Sequence, residues 1–175
     1  MGQRLKPDVG SMRTILTLIV LLSIAVLARA DPPGSLREEF LSRGAAVALA
    51  ACNLPKRTCD GKSLSVQSIE LGESNDEKRS VEMLAKPGLQ VMVAFALPNR
   101  QSYYLGVVDI KSGRRRTVGG IRIGSSRTSV LHALGEPDYW ASSSCGRFVE
   151  VGTREAVVCF KSGRVSSLHW EYFVD

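Results

Sequence analysis

The segment IRIGSSRTSVLHALGEP, residues 121–137, decides the architecture of the C-terminal half of the chain. Ile121 and Ile123 alternate as in a strand with one buried face. Gly124 then permits a turn, and one of the two serines at 125–126 is suited to cap a helix by accepting a hydrogen bond from a backbone N–H. The first half of the segment therefore predicts a strand end followed by a capped helix.

The second half of the segment predicts where that helix ends. Val130 and Leu134 lie four residues apart, so they share one face of a helix. Gly135 is suited to the left-handed conformation that closes many helices, and Pro137 prevents the helix from continuing. The segment therefore specifies a short helix with one apolar face, and it does not identify a partner.

The spacing of these residues resembles the SmpA/OmlA (BamE-like) family of outer-membrane lipoproteins and the related β-lactamase-inhibitory-protein fold. The residues that carry the resemblance are Gly124, Ser126, Val130, Leu134, Gly135 and Pro137. Three strands that we predict at 148–151, 156–160 and 165–174 also agree with it. The resemblance covers about the last third of the chain. It implies an envelope protein that binds another envelope protein, although the lipoprotein cysteine is absent and Ser125 and Ser129 depart from the family pattern.

Residues 1–30 have the pattern of a signal peptide. A positively charged start precedes an apolar run at 15–27, and Ala-Arg-Ala at 28–30 supplies a cleavage site. At about 13 residues the run is too short to span a bilayer, so a retained membrane anchor is the weaker alternative. Translation from Met12 would give a more typical signal. We expect the mature chain to begin at Asp31 and to be soluble, in the periplasm or secreted.

The mature chain, residues 31–175, is long enough for a single domain with its own core. The predicted signal peptide holds four basic residues and one acid, so its removal lowers the net charge from +6 to +3. Half of the apparent basicity therefore belongs to a sorting signal. We expect no nucleic acid partner.

Four cysteines remain after cleavage: Cys52, Cys59, Cys145 and Cys159. An even number in an exported chain favours disulfides over a metal site. Proximity in sequence favours Cys52 with Cys59 and Cys145 with Cys159, although four cysteines allow three pairings. A zinc site is the alternative, but the chain lacks the short spacing of a zinc knuckle. We expect no metal and no cofactor.

The N-terminal half predicts one helix and several strands. A capping box formed by Ser35 and Glu38 begins a helix that extends to about residue 51. Its predicted apolar face is Leu36, Phe40, Val47, Ala48 and Ala51. Strands are predicted at 64–71, 90–97 and 103–110, a charged loop at 75–79, and a short helix at 80–85.

Two sequence echoes suggest an internal repeat. Residues 107–114 match residues 157–164 at six of eight positions, and residues 69–74 echo residues 121–126. A tandem duplication with units at 64–114 and 117–175 would explain both echoes. Convergence of two strand–turn–strand segments on a similar sequence is the alternative.

The sequence carries no catalytic motif that we recognise. His132 lies on the predicted short helix, and His169 alternates with the apolar residues of the last strand. An isolated histidine on a half-exposed element is more often a surface residue than a base or ligand. We therefore assign no catalytic residues, and an envelope hydrolase is the least favoured function.

Exposed aromatic residues and one arginine are the candidates for partner binding. Tyr139 and Trp140 follow the predicted helix stop, and Tyr103 and Tyr104 begin a predicted strand. Amphipathic aromatics are frequent interface anchors, although these rings could instead fold back over the core. Arg115 lies at the centre of the chain's longest run of arginines. The run could bind lipid head groups or an acidic partner, or form a solvated turn.

Together these features predict an α+β domain, with short helices packed on one face of an antiparallel sheet and two disulfides, and with two candidate tandem BamE-like units. The predicted function is a non-catalytic exported protein that binds another envelope protein. Inhibition of an exported enzyme is the alternative within the same class. Peripheral contact with a membrane is a further partner that the arginine run would support.

Overall fold

A helix and a disulfide-closed segment precede the main sheet in the computed structural model, which describes residues 33–74, 77–150 and 154–172. Helix α1 is Pro33–Ala48. A small antiparallel sheet follows, and we call residues 52–63 the clip. Its strands are β1 (Cys52–Asn53), β2 (Thr58–Cys59) and β3 (Lys62–Ser63). The predicted signal peptide, residues 1–30, lies outside the described residues.

The rest of the described chain forms one large antiparallel sheet, a 3-10 turn at Val118–Gly120 and a second helix, α2 (Arg127–Leu134). The strands of the sheet are β4 (Ser65–Ser74), β5 (Glu77–Lys86), β6 (Leu89–Ala96), β7 (Tyr103–Ile110), β8 (Tyr139–Ser142), β9 (Cys145–Glu150), β10 (Arg154–Lys161) and β11 (Arg164–Tyr172). Their order across the sheet is β4-β5-β6-β7-β11-β10-β9-β8.

The sheet consists of two consecutive meanders that meet at its centre. Strands β4 to β7 form the first meander, and β8 to β11 form the second. The last strand of each pairs with the last strand of the other, with Trp170 opposite Val108 and Leu168 opposite Ile110. The connection between the meanders, residues 111–138, carries the 3-10 turn and α2.

The predicted α+β fold class is wrong, because the protein is mainly β. Strands take 52% of the described residues, which contain two α-helices. Residues 80–85, predicted as a helix, lie in β5, and the predicted loop at 75–79 enters β5 at Glu77. Ser80, Glu82 and Leu84 are buried while Val81 and Met83 are partly exposed. This period of two is the burial pattern of a strand.

The two sequence echoes fall on different local structures. Residues 157–164 run from β10 through a tight turn into β11, with positive φ at Ser162 and Gly163, as a two-residue hairpin requires. Residues 107–114 instead leave β7 and begin the connection between the meanders. Residues 69–74 lie in β4, whereas residues 121–126 precede α2. The duplication with units at 64–114 and 117–175 stays a prediction.

Local signals in residues 121–137 predict α2 correctly. The Ser126 hydroxyl accepts a hydrogen bond from the Ser129 N–H (3.1 Å) and caps the helix. Gly135, with φ 77°, donates its N–H to the Leu131 carbonyl and ends it. Val130 and Leu134 are buried, as expected for one apolar face. The predicted strand at Ile121 and Ile123 is wrong, because both lie in the connection outside any strand.

Helix α1 packs on the sheet through the last strand. The Trp170 indole is fully buried, donates its N–H to the Phe40 carbonyl (3.1 Å) and lies with its ring centroid 5.2 Å from that of Phe40. The predicted face of α1 is right at Phe40 and Ala48 and wrong at Val47, which is 38% exposed. Leu41 and Ala45 are buried in its place.

Both predicted disulfides are present, and no cysteine is free. Cys52 and Cys59 are opposite each other on β1 and β2, and Cys145 and Cys159 are opposite each other on β9 and β10. Each bridge therefore joins residues that backbone pairing already brings together. In the part of the chain that the structure covers, no helix is long and apolar enough to cross a membrane.

A buried carboxylate joins the clip to the first meander. Glu82 on β5 is fully buried and accepts hydrogen bonds from Arg57 of the clip, at 2.9 and 3.0 Å. Arg100, between β6 and β7, also binds both carboxylate oxygens, one of them at 3.0 Å. The hydrogen bond from Arg100 is the largest cause that lowers the pKa of Glu82 to about 2, and the bond from Arg57 acts in the same direction. Glu82 is therefore ionised although buried.

We predict that Glu82→Gln lowers the free energy of unfolding by about 3 kcal/mol at neutral pH, because it removes the charge between two arginines. Both arginine side chains stay partly exposed, so we take the lower end of the usual range. A carboxyl with a lowered pKa stabilises the folded state above its unfolded pKa, and this contribution is lost as the pH falls from about 5 toward 2. The difference between the two proteins should therefore shrink across that window in chemical denaturation. Glu70→Gln, on the exposed neighbouring strand, is the control. Equal stability of Glu82→Gln and the unaltered protein at neutral pH would contradict the assignment.

Candidate functional site

The two faces of the large sheet differ in what covers them. Side chains from α1, α2 and the clip join the residues of one face in a single core cluster, to which Trp170, Val130 and Leu54 belong. We call this the covered face. Among the described residues, no helix contributes to the other face, which we call the open face. A sheet with one open face is the natural place to look for a binding surface.

The open face carries an apolar patch on the first meander. Val81, Ala94 and Tyr104 are direct neighbours across β5, β6 and β7. Met92 and Gly106 complete the patch at an irregularity in the pairing of β6 and β7. A Cβ atom on Gly106 would lie 2.6 Å from Met92 Cε, so a larger residue there would require the end of the Met92 side chain to shift. Together with Arg79 and Tyr172, these five residues line a depression of about 270 Å³, and we call the five the open-face patch.

Charged residues occupy the open face of the second meander. Arg147 on β9 donates to Glu155 on β10 at 2.9 Å, and Glu155 is only 8% exposed. His169 on β11 places Nδ1 2.9 Å from Asp109 Oδ1 and Nε2 3.9 Å from Glu171. Acidic and basic groups are thus paired beside an apolar patch. The open face therefore carries apolar side chains on the first meander and paired charges on the second.

The His169 ring is held by an aspartate in this arrangement. Within the described ranges, the only hydrogen-bond partner of the His169 ring is Asp109, and no hydroxyl is bound to its other nitrogen. No group of three His, Cys, Asp or Glu side chains in the same ranges is arranged to hold a metal ion. His132 is exposed on α2.

The candidate tyrosines are exposed, but only Tyr104 and Tyr139 lie on the open face, on strands far apart in the sheet. Tyr104 is 52% exposed in the open-face patch, with the Arg79 guanidinium 5.7 Å from its ring centroid. Tyr139 is 47% exposed at the opposite edge of the sheet, where Arg147 lies 5.3 Å from its ring. Tyr103 pairs with Phe95 and lies on the other side of β7 from Tyr104.

Trp140 folds back over the core. Its ring centroid lies 6.4 Å from that of Phe160, and the Arg127 guanidinium lies 4.1 Å from the Trp140 ring centroid. The side chain is half-buried, and it packs against the core cluster of the covered face. Of the two neighbours proposed for display, only Tyr139 is therefore well exposed.

Arg115 is a structural residue that binds the clip, rather than a surface arginine. Its side chain is 9% exposed and donates to the Ala48 carbonyl at 2.9 Å, which ties the end of α1 to the clip. It also forms an ion pair with Asp60 and lies 3.1 Å from Cys59 Sγ. The pKa of Asp60 is lowered mainly by a hydrogen bond from Lys86, with Arg115 adding to the effect. Arg115 is therefore poorly placed to bind a partner.

The open-face patch was missed in the sequence because it is spread over three strands. Val81 belongs to the segment that was assigned to a helix, and Met92 and Ala94 were read only as part of a strand. In β6, Met92 and Ala94 alternate with β-branched and aromatic residues, and this period of two is the signal that could have assigned both to one face. These residues lie beside Tyr104 only because of the pairing between strands, which no local sequence pattern specifies.

We predict that Trp140→Ala lowers the free energy of unfolding by about 2 kcal/mol. Removing a half-buried ring costs less packing energy than removing a fully buried one. Tyr139→Ala, its exposed neighbour, should change the stability by about 0.5 kcal/mol or less. Chemical denaturation of both variants measures the difference. A Trp140→Ala protein as stable as the Tyr139→Ala protein would show that the Trp140 ring does not pack on Phe160.

Comparison with known proteins adds no assignment: the chain matches no protein-family model, no curated protein and no solved structure. The function proposed below therefore depends on the chain's own residues and on the resemblance carried by residues 121–137.

Proposed function

We propose that the protein is an exported, non-catalytic interaction protein of the cell envelope that binds another envelope protein through the open face of its sheet. The observation that carries the proposal is the open-face patch beside the paired charges of the second meander. Protein interfaces commonly combine an apolar or aromatic centre with a polar border. The open face has this composition, and its charges are already held in place by one another.

Tyr104 is the best anchor on this surface. Its ring is more than half exposed, and Arg79 holds it on one side through a cation–π contact. A tyrosine offers a large contact area at little cost in conformational entropy, and its hydroxyl adapts to a polar partner. Met92, half-buried beside it, is a flexible apolar side chain that adjusts to different partner surfaces. The pair favours recognition of a protein surface.

Three features support an exported location. The two disulfides are typical of an oxidising compartment. The pattern of residues 1–30 is that of a cleaved signal peptide, which gives a mature chain from Asp31 in the periplasm or secreted. The resemblance of residues 121–137 to the BamE-like family is consistent with the cell envelope.

We predict that Tyr104→Ala weakens capture of the envelope partner about tenfold, the effect expected for an aromatic anchor, and leaves the thermal midpoint nearly unchanged. Affinity capture from envelope extract, quantified for each variant, is the measurement. Tyr103→Ala is the matched control, because Tyr103 is the adjacent tyrosine with 41% exposure on the other side of the strand.

Equal loss for both variants, or loss for Tyr103→Ala alone, would contradict binding through the open face. The identity of the captured protein separates the two functions of this class. An exported enzyme whose activity falls on binding would indicate an inhibitor, whereas a structural envelope protein would indicate an assembly partner.

A further inference from the structure

The outer edge of β4 is a second surface with the properties of a binding site. Strand β4 has ten residues and pairs with β5 on one side, and no described strand pairs with its other side. Every second residue of such an edge directs its N–H and C=O groups outward, where they are free to pair with another chain. Leu71 is 79% exposed and Ile69 is 52% exposed on this strand.

This edge lacks most of the devices by which proteins protect free strands. Such devices include short strands, lysine or proline at the edge, and irregular pairing. Strand β4 contains no lysine, arginine or proline. Its pairing with β5 shifts once, between Val66 and Ser68, and is regular from Ser68 to Ser74. The opposite edge of the sheet, β8, is only four residues long and has a pairing irregularity. Strand β4 is therefore the accessible edge.

The two sides of β4 differ in chemistry. Ile69 lies opposite Glu82 of β5, and Leu71 lies opposite Ser80. Both therefore belong to the covered face of the sheet, but at this edge they remain exposed. Glu70, on the other side, lies opposite Val81, is exposed, and forms no ion pair with a described residue. An added strand would meet apolar side chains on one side and an unpaired carboxylate on the other.

We propose that the outer edge of β4 binds an extended segment of a partner protein in which apolar residues alternate with lysine or arginine. The segment would pair with β4 as a ninth strand, with main-chain hydrogen bonds providing affinity. Its apolar side chains would contact Ile69 and Leu71, and a basic side chain would contact Glu70. Cross-strand pairs of these kinds are the usual source of specificity in a sheet.

A second copy of the same strand is a poorer occupant. The sequence of β4 contains Glu70 and Glu73 and no basic residue, so pairing of two copies adds acidic strands to each other. Like charges on neighbouring strands destabilise the pairing. Charge complementarity therefore selects a basic segment over self-association.

This site is distinct from the open-face patch. Tyr104 lies on β7, with β5 and β6 between it and β4, and no residue of the patch belongs to β4. The proposal consequently does not depend on the function proposed above. Tyr104→Ala should leave binding at the β4 edge unchanged.

The test uses the disulfide-bonded mature protein and a labelled peptide of about eight residues, alternating valine and lysine with blocked ends, the length of a typical strand. Fluorescence anisotropy should show binding at least about tenfold tighter than that of a valine–glutamate peptide. Methylation of every second peptide nitrogen should abolish binding. Hydrogen exchange should slow in residues 65–74 when the valine–lysine peptide is bound.

Two protein variants make the assignment specific. Leu71→Lys should weaken the valine–lysine peptide about tenfold, because it adds a charge and removes an apolar contact. Val47→Lys, which adds the same charge at an exposed position of α1, is the matched control and should have little effect on peptide binding. Glu70→Lys should reverse the preference toward the valine–glutamate peptide.

Several results would overturn the proposal. These are equal affinity for the two peptides, binding that survives nitrogen methylation, or equal effects of Leu71→Lys and Val47→Lys. Sedimentation that shows self-association, lost on Leu71→Lys, would assign the edge to a second copy and would also overturn it.

Discussion

The contact between Trp170 and helix α1 determines which face of the large sheet is covered. Trp170 lies on β11, at the seam where the two meanders meet, and its indole N–H is bonded to a carbonyl 130 residues away in the chain. Gly44 allows the helix to approach this closely, since a Cβ atom there would lie 3.1 Å from the indole nitrogen. A fully buried ring with a satisfied donor gains burial energy without a polar cost. This contact holds the first helix over the centre of the sheet.

Because the helices and the clip pack on one face of the sheet, the residues that stabilise the fold differ from the residues proposed to bind partners. The covered face holds the core, the clip, the Glu82 ion pairs and Arg115, all of which contribute to holding the cover in place. The exposed side chains of the open-face patch and of the β4 edge contribute little to the packing of the described chain. Substitutions there should change binding with little change in folding, whereas substitutions on the covered face should change folding first. The proposed functions follow from this division.

The sequence was informative where structure is local and misleading where it is not. Helix α2 was predicted because a cap, an apolar pair and a stop lie within a few residues of one another. The disulfides were predicted because each pair is close in sequence. Strand β5 was missed because buried Ser80 and Glu82 break the alternation of apolar residues, while Val81 and Leu84 are spaced as on a helix. Glu82 is buried only because Arg57 and Arg100 approach it from distant segments. No pattern within β5 indicates those partners.

The same limit explains the partner-binding residues. An arginine in a charge run and an aromatic pair after a helix stop are typical of surfaces, yet Arg115 and Trp140 are engaged by the clip and by the core. The exposed tyrosines were recognisable, but assigning Tyr103 and Tyr104 to different sides required the strand. The fold class was wrong for a related reason: one misassigned segment replaced a strand of the sheet by a helix.

Hydroxyl-radical footprinting of the free mature protein tests the central claim, that one face of the sheet is covered through Trp170 and the other is open. The only methionines after residue 31 are Met83 and Met92, both partly exposed on the open face, so the labelling reports directly on that face. We expect rapid modification of both methionines and of Tyr104, and slow modification of Trp170 and Phe40. Modification of Trp170 as fast as that of Tyr104, or methionines protected in the free protein, would contradict it.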